Sequence, residues 1–370
     1  MNETDQHPTS LHATDPHPTD PTQRPDRRRP LILATLAPLA ALFVLTGCTP
    51  ATSAAAPAAA KIVVPAAVPT KELAGLTLNV GDQKAGLQAL LTAAGELADV
   101  PYKIKWSTFT SGPPLLEAVN AGAVDVGGVG NTPPIFSAAA GGKIAIISAT
   151  HNSSAGDAVL VPKGSTARTF ADLKGKRVAV AKGSSAHGNL LLQLTKAGLV
   201  PADVQTTFMA PSDGYAALAA GRVDAWVVWD PYTAQAEQQL GARVLTSGKG
   251  LANGLAFQVA SRDALTDGRR NSAIQDLVAR TVRARIWSKA HPRQWALVSA
   301  QQTGLPYAVA LASALRSDAD PITLTPQLAA SEQKLADAFA SARVIPSRPT
   351  IADIIDTRYN QTATDQGATS

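Results

Sequence analysis

The turn at residues 182–187, Lys-Gly-Ser-Ser-Ala-His, is the segment of this sequence whose residue types and spacing best suit chemistry. It follows the apolar run 178–181 and precedes the amphipathic run 189–194, a pattern that predicts a strand, a turn and a helix. The first backbone N–H groups of such a helix lack intrahelical partners and lie at the positive end of the helix dipole. Ser184 and Ser185 can therefore cap the helix or donate hydrogen bonds to a bound anion.

An internal repeat relates this turn to the rest of the chain. Ala-Gly-Ala-Val-Asp at 121–125 recurs as Ala-Gly-Arg-Val-Asp at 220–224, and Asn131 corresponds to Asp230 at the same offset of 99 residues. The repeat predicts two similar halves whose loops lie at the carboxyl ends of parallel strands, where such sheets bind ligands. We expect four helix N-termini to face one cleft between the halves, a geometry suited to a small anion with several oxygens.

Several of these side chains also have ordinary structural interpretations. Ser184 and Ser185 can be helix caps only, and His187 can lie on the surface. Trp229 can pack in a core or cover the alkyl tail of a ligand. Asp230 would repel an anion, so we expect it to cap its helix or to hold a cationic neighbour.

Strand patterns alternate with helix patterns over most of the chain, which predicts an α/β fold with mainly parallel sheets. The first turn is expected at 81–86. The predicted strands are 76–80, 102–108, 124–129, 144–148, 177–181, 205–209, 223–228 and 243–245, and the predicted helices include 87–97, 115–121 and 212–220. Residues 159–161 are expected to lead out of the first half, and residues 255–261 to cross back.

Composition limits the function. The 370 residues carry a net charge of +5, without a Lys/Arg run interleaved with aromatics, which argues against nucleic-acid binding. No His/Cys/carboxylate cluster has metal-ligand spacing, so neither a metal nor a cofactor is expected.

The single cysteine, Cys48, lies at the end of a leader. Three arginines at 27–29 precede a mostly apolar run at 31–45, which is too short for a comfortable membrane span and is typical of a signal peptide. The following Leu-Thr-Gly-Cys matches a bacterial lipoprotein processing site. We predict a signal peptide at 1–47, and a lipidated Cys48 with a flexible tether at 48–71 that holds the protein outside the cytoplasm on the cell membrane.

Four segments carry a family resemblance: residues 130–141, residues 172–179, the turn 182–187, and the most specific, Val-Asp-Ala-Trp-Val-Val-Trp-Asp-Pro-Tyr at 223–232. Together they resemble the aliphatic sulfonate-binding proteins of ABC importers, in the wider group that includes taurine- and nitrate-binding proteins. The likeness runs from about residue 76 to residue 354, most of the mature chain.

The resemblance implies a two-domain type II periplasmic-binding-protein fold that closes like a Venus flytrap. Domain 1 would comprise 72–157 and 256–370, and domain 2 would comprise 158–255. The family also implies a monomer that captures a small sulfonate for sulfur acquisition and delivers it to a membrane permease with a cytoplasmic ATPase. It implies transport and no catalysis.

The family's binding positions fall on residues of both halves. They are Gln83, Gly112, Asn131, Thr132, Ser184, Ser185, His187, Trp229 and Asp230. Relatives often have Asp where this chain has Asn131, and a hydroxyl residue where it has Ala186. Both departures leave the identity of the ligand open.

Other functions stay open at this point. Taurine, nitrate and thiamine-precursor binders share the fold. A lipid-anchored hydrolase would use Ser184 or Ser185 with His187, but the Gly-x-Ser-x-Gly elbow is absent around these serines. A sensor domain would need a DNA-binding helix-turn-helix, which residues 1–71 do not offer.

Overall fold

The structure is a computed structural model and describes residues 63–370. The predicted leader 1–47, Cys48 and the tether up to residue 62 lie outside the described residues, so their interpretation stays a prediction. None of the helices within 63–370 is long and apolar enough to span a bilayer.

The described part of the chain forms two β-sheets. In chain order the strands are β1 Thr77–Gln83, β2 Lys103–Phe109, β3 Val126–Gly130, β4 Ile144–His151, β5 Ala158–Val161, β6 Arg177–Val180, β7 Gln205–Phe208, β8 Ala225–Val228, β9 Arg243–Ser247, β10 Leu255–Ser261 and β11 Asp320–Ile322. The first sheet has the order β11-β4-β10-β3-β1-β2, and the second has the order β7-β6-β8-β5-β9.

Helices flank both sheets. They are α1 Leu87–Ala93, α2 Gly112–Asn120, α3 Thr132–Ala139, α4 Ser185–Lys196, α5 Pro211–Ala219, α6 Tyr232–Leu240, α7 Arg262–Thr266, α8 Gly268–Ala290, α9 Pro292–Thr303, α10 Tyr307–Arg316, α11 Pro326–Ser341 and α12 Asn360–Asp365. Leu78 of β1 and Val227 of β8 are fully buried, because helices cover both faces of each sheet.

The two-domain α/β fold is confirmed, but the sheets are mixed and not mainly parallel. β1 is parallel to β2 and β3, and β6 is parallel to β7 and β8. By contrast β10 is antiparallel to β3 and β4, and β5 is antiparallel to β8 and β9. β5 and β10 are the first strands after the chain passes from one sheet to the other. Each therefore runs back against its new neighbours.

The passages between the sheets lie at 152–157 and at 248–254. All strands of the second sheet come from the stretch between these passages, and the first sheet takes its strands from the chain on either side. The precise domain limits 72–157, 158–255 and 256–370 stay a prediction.

The internal repeat is visible in the hydrogen bonds. The Asp125 carboxylate accepts the backbone N–H of Asn79 at 2.8 Å, and the Asp224 carboxylate accepts that of Arg177 at 2.9 Å. In each pair the aspartate N–H donates back to the carbonyl of the same residue. The two aspartates thus join β3 to β1 and β8 to β6 in the same way.

Several element bounds differ from the predictions, and the differences at β1 and α1 have a local cause. β1 continues through Gln83, so half of the predicted turn 81–86 is strand, because its ladder with β2 extends that far. α1 ends at Ala93 and not near residue 97, because Gly95 follows with a φ of 76°, which terminates the helix.

Candidate functional site

A cavity of about 310 Å³ lies between the two sheets and is lined from both. Six of the nine predicted site residues line it: Gln83, Gly112, Ser184, Ser185, Trp229 and Asp230. The other three, Asn131, Thr132 and His187, lie outside its lining. The binding role of all nine stays a prediction, and the contacts below indicate what each can do.

The two halves approach each other closely at the start of α4. A Cβ placed on Gly130, at the end of β3, would lie 2.9 Å from the Cβ of Ser185. A Cβ on Gly112, the first residue of α2, would lie 2.4 Å from Pro133. Both glycines therefore permit a close backbone approach that a larger residue would block. The N-termini of α2 and α4 meet the cavity here, with N–H groups that have no acceptor within their own helices.

Ser184 acts as the N-cap of α4. Its hydroxyl donates to the carbonyl of Ala181 at 2.7 Å and accepts the N–H of His187 at 3.4 Å. This confirms the capping interpretation for Ser184. Ser185 is the first residue of the helix and lines the cavity.

His187 is buried among aromatic rings. Phe136, Phe208 and Phe339 have ring centroids 5.2–5.8 Å from its imidazole, and its Nδ1 accepts the N–H of Gly183 at 3.1 Å. Burial, with a smaller contribution from the charge of Lys182, lowers the pKa of His187 to about 4. The ring is therefore neutral at physiological pH and holds the turn before α4 in place.

Asn131 and Thr132 belong to a buried hydrogen-bond chain. Asn131 donates its Nδ2 to Oδ1 of Asn253 at 2.8 Å, and the Thr132 hydroxyl donates to Oδ1 of Asn131 at 3.0 Å. Asn253 lies in the second passage between the sheets and donates in turn to Glu332 at 2.7 Å. Glu332 is fully buried, and burial raises its pKa to about 8.

Asp230 has the two structural roles expected of it. Its Oδ1 accepts the N–H of Ala234 in the first turn of α6 at 3.0 Å, and its Oδ2 lies 2.9 Å from Nε of Arg316. Arg316, at the end of α10, also pairs with Glu237 at 2.8 Å. The guanidinium therefore ties α10 to α6 while Asp230 lines the cavity.

A second carboxylate, Asp157, lines the cavity beside Asp230. Desolvation and the charge of Asp230 raise the pKa of Asp157 to about 7. Desolvation also raises the pKa of Asp230 to about 6, against the opposing charge of Arg316. The charge of this part of the cavity lining, formed by Asp157 and Asp230, therefore changes with pH between about 6 and 7.

The Asp82 carboxylate caps the N-terminus of α1. Its two carboxylate oxygens accept the N–H groups of Leu87 at 2.6 Å and Gln88 at 2.9 Å. Asp230 accepts one N–H group at α6, that of Ala234, and α3 begins in the buried chain of Asn131. All four helix N-termini expected to face the cleft contribute residues to the cavity lining: Leu87 of α1, Pro133 of α3, Ser185 of α4 and Pro231 at the start of α6. At α1 and α6 the aspartates already accept N–H groups, so the start of α4 is the better place for an anion.

Sequence reasoning also missed residues that line the cavity from the C-terminal helices. These are Thr281, Arg285, Trp295, Ser299, Ser313 and Arg316, with Gln258 on β10. They follow no motif and no repeat, so the sequence contained no signal for them. Within residues 63–370, no group of three or more His, Cys, Asp or Glu side chains could hold a metal ion.

Comparisons with known proteins agree with this architecture. The model of the NMT1-like family matches residues 83–302. A protein of Escherichia coli (strain K12) named for the binding of aliphatic sulfonates is 37% identical over 278 residues, 73% of this chain and 86% of that protein.

Two solved structures are similar. The alkanesulfonate-binding protein SsuA of Xanthomonas axonopodis pv. citri, bound to MOPS, matches with a TM-score of 0.71 and 35% identity over 76% of this chain and 99% of its own. The periplasmic aliphatic sulphonate binding protein SsuA of Escherichia coli matches with a TM-score of 0.67 and 34% identity over 76% and 92%. The chain therefore belongs to the NMT1-like family and groups there with the aliphatic sulfonate-binding proteins.

Proposed function

We propose that this protein captures an aliphatic sulfonate in the cavity between its two sheets and delivers it to the permease of an ABC importer. The observation that carries the proposal is the start of α4, where Ser185 and the end of β3 approach each other at the cavity. A helix N-terminus of this kind binds an anion with several oxygens. Membership of the family supports a sulfonate over taurine, nitrate or a thiamine precursor.

The proposed ligand lies with its head at the N-termini of α2 and α4. Gly112 and Ser185 offer backbone N–H groups, and the Ser185 hydroxyl can add a further hydrogen bond. Trp229, which is partly buried and lines the cavity, covers the alkyl tail. Gln83 acts indirectly, since its Nε2 donates to the carbonyl of Gly128 at 2.9 Å and so fixes β3.

Contacts from both halves would favour the closed arrangement of two domains. Lys84 of the first half lies 5.2 Å from the ring centre of Tyr232 in the second, and Arg316 of α10 pairs directly with Asp230. A ligand bound by both halves stabilises the form in which they meet, and the closed form then docks on the permease.

We infer that the protein is a receptor and not an enzyme. The imidazole Nδ1 of His187 accepts the backbone N–H of Gly183, and the Ser184 hydroxyl donates to a main-chain carbonyl. A nucleophile and base pair would need a hydrogen bond between the two side chains. These contacts favour structural roles for both residues.

We further propose that the mature protein is an extracytoplasmic monomer, held on the membrane by a lipid on Cys48. The leader pattern supports this. Replacing Cys48 with alanine should release the protein from the membrane fraction, and mass spectrometry of the unaltered protein should find a diacylglyceryl group on that residue.

Isothermal titration tests the receptor function. The full chain should bind ethanesulfonate or a longer alkanesulfonate with a micromolar or tighter Kd, and it should bind sulfate and nitrate at least tenfold more weakly, about 1.4 kcal/mol. Trp229→Ala should weaken alkanesulfonate binding, whereas Trp287→Ala, on α8 outside the cavity lining, should not. Tighter binding of taurine or nitrate would overturn the sulfonate assignment.

A further inference from the structure

One wall of the cavity, on the first sheet and the C-terminal helices, is unexpectedly polar for a site that would hold an alkyl tail. Gln258 lies on β10 opposite Ser148 of β4, with which it is paired in register. Beyond them lie Thr281 and Arg285, one turn apart on α8. We call Ser148, Gln258, Thr281 and Arg285 the polar wall. All four line the cavity.

The hydrogen bonds of the polar wall fix the orientation of the Gln258 amide. The Thr281 hydroxyl donates its only proton to the carbonyl of Leu277 at 2.8 Å. It can therefore only accept from Gln258, whose Nε2 lies 2.9 Å away. The other amide atom, Oε1, then points elsewhere, is buried and has no hydrogen-bond partner among the described residues. Gln258 itself is only 7% exposed.

Arg285 presents the complementary group. Its Nε is buried and also has no partner within the described part of the chain. The charge of Asp82 acts on this guanidinium, but the oxygens of Asp82 are already engaged by the N–H groups of Leu87 and Gln88. A buried donor and a buried acceptor thus remain unpaired, within residues 63–370, on two residues of one wall. Buried polar groups are normally satisfied, so each such exception calls for an explanation.

We propose that Gln258 Oε1 and the Arg285 guanidinium form a subsite for a hydroxyl group on the tail of the ligand, so that the preferred ligands are hydroxyalkanesulfonates. This inference rests on the proposed sulfonate-binding function. A hydroxyl is both a donor and an acceptor. It can donate to Gln258 and accept from Arg285, which satisfies both groups at once.

Other tail groups fit the polar wall less well. A plain alkyl tail leaves both buried groups without a partner among the described residues. A carboxylate would pair with Arg285 but would face the oxygen of Gln258 and the charge of Asp82. An ammonium group would face the positive charge of Arg285. Of these groups, only the hydroxyl pairs with both Gln258 and Arg285 without a like-charge or acceptor–acceptor contact.

The test compares two ligands of equal size, 2-hydroxyethanesulfonate and propane-1-sulfonate, which differ by a hydroxyl in place of a methyl group. Isothermal titration of the full chain should give a Kd about tenfold lower for the hydroxylated ligand, the usual effect of satisfying one or two buried polar groups. Because this comparison uses the unaltered protein, it does not depend on any variant folding.

Variants then locate the preference. In Gln258→Met and in Arg285→Met the two ligands should bind with about equal Kd values. The affinity for propane-1-sulfonate should be no lower than in the unaltered protein. Gln275→Met, on the same helix as Arg285 but outside the cavity lining, should keep the preference. Equal Kd values for the two ligands in the unaltered protein would overturn the subsite but leave the receptor function intact, and so would a preference that survives both substitutions. Failure of both sulfonates to bind would overturn the receptor function and the subsite with it.

Discussion

Asn131 and Asp230 occupy corresponding positions of the repeat, yet they face different surroundings. Asn131 follows β3, which pairs in parallel with β1, and Asp230 follows β8, which pairs in parallel with β6; each precedes a helix. Asn131 is 5% exposed and bonded to Asn253 in a buried chain. Asp230 lines the cavity and is paired with Arg316.

The difference comes from what the other parts of the chain bring to each position. The second passage between the sheets places Asn253 against Asn131, whereas α10 places Arg316 against Asp230. The repeat therefore fixes the backbone, and non-repeated segments decide whether the side chain serves the fold or lines the site. The following predictions test whether the surroundings, and not the repeat, set the role of each side chain. They run from the largest expected effect to the smallest.

The first prediction concerns Glu332, where the buried chain from Asn131 ends. Its pKa is raised to about 8 from an ordinary 4.5, because burial penalises the charged form. The folded state thus keeps a proton that the unfolded state releases, so this residue makes the protein less stable as pH rises from about 4.5 to about 8. Glu332→Gln should remove this part of the pH dependence and add about 3 kcal/mol to the free energy of unfolding at pH 8.

Thermal and urea unfolding at pH 5 and pH 8 measure this effect. Glu117→Gln, on the exposed side of α2, is the matched control. It should leave the free energy of unfolding unchanged at both pH values. A Glu332→Gln protein with the same pH dependence as the unaltered protein would contradict the account.

The second prediction concerns the cavity side. Arg316→Met leaves Asp230 and Glu237 without their cation, and the Asp230 side chain is only 15% exposed. The free energy of unfolding should fall by about 2 kcal/mol. The control is Arg348→Met, which breaks the exposed pair with Asp337 and should cost no more than about 1 kcal/mol. Equal losses for the two variants in urea unfolding would refute a special role of Arg316.

The third prediction exchanges the side-chain types of the repeat pair. Asn131→Asp places a carboxylate against Oδ1 of Asn253, in place of the donor that now binds it. The loss of stability should be about 1–2 kcal/mol. Asp230→Asn should cost less, because Arg316 keeps Glu237 and a carboxylate with a raised pKa is removed. The reverse order in chemical denaturation would show that the repeat, and not its surroundings, sets the role.

The fourth prediction concerns binding as a function of pH. The pKa of Asp157 is about 7, so the residue is mostly ionised at pH 8 and repels an anion in the cavity. Alkanesulfonate affinity should therefore rise severalfold, about three- to tenfold, as pH falls from 8 to 6. Asp157→Asn should bind more tightly than the unaltered protein at pH 8 and depend less on pH. Titration calorimetry at both pH values decides, and an affinity that increases with pH would contradict the prediction.

The sequence was sufficient for the architecture because local patterns determine it. The alternation of strands and helices, and the echo at 121–125 and 220–224, predicted the two halves, and the same aspartate hydrogen bonds recur in both. Mixed sheets were not predictable, because the direction of β5 and β10 depends on where the chain passes from one sheet to the other. That is a long-range property with no local signal.

The candidate site was only partly predictable for the same reason. Gly112, Ser185 and Trp229 belong to strand-to-helix turns that the sequence identifies, and they line the cavity. Arg285 and Gln258 come from elements more than a hundred residues away from Gly112 and carry no motif. The position of His187 in the turn 182–187 also suggested a ligand contact. Only its three aromatic neighbours in the structure identify it as a packed residue.

The central claim, that an anion is held where the two halves meet, is tested most directly by a crystal structure of the protein with propane-1-sulfonate. The account predicts sulfonate oxygens at about 3 Å from the backbone N–H groups at the start of α4, with the tail against Trp229. A sulfonate bound elsewhere, or one that contacts only one of the two halves, would contradict it.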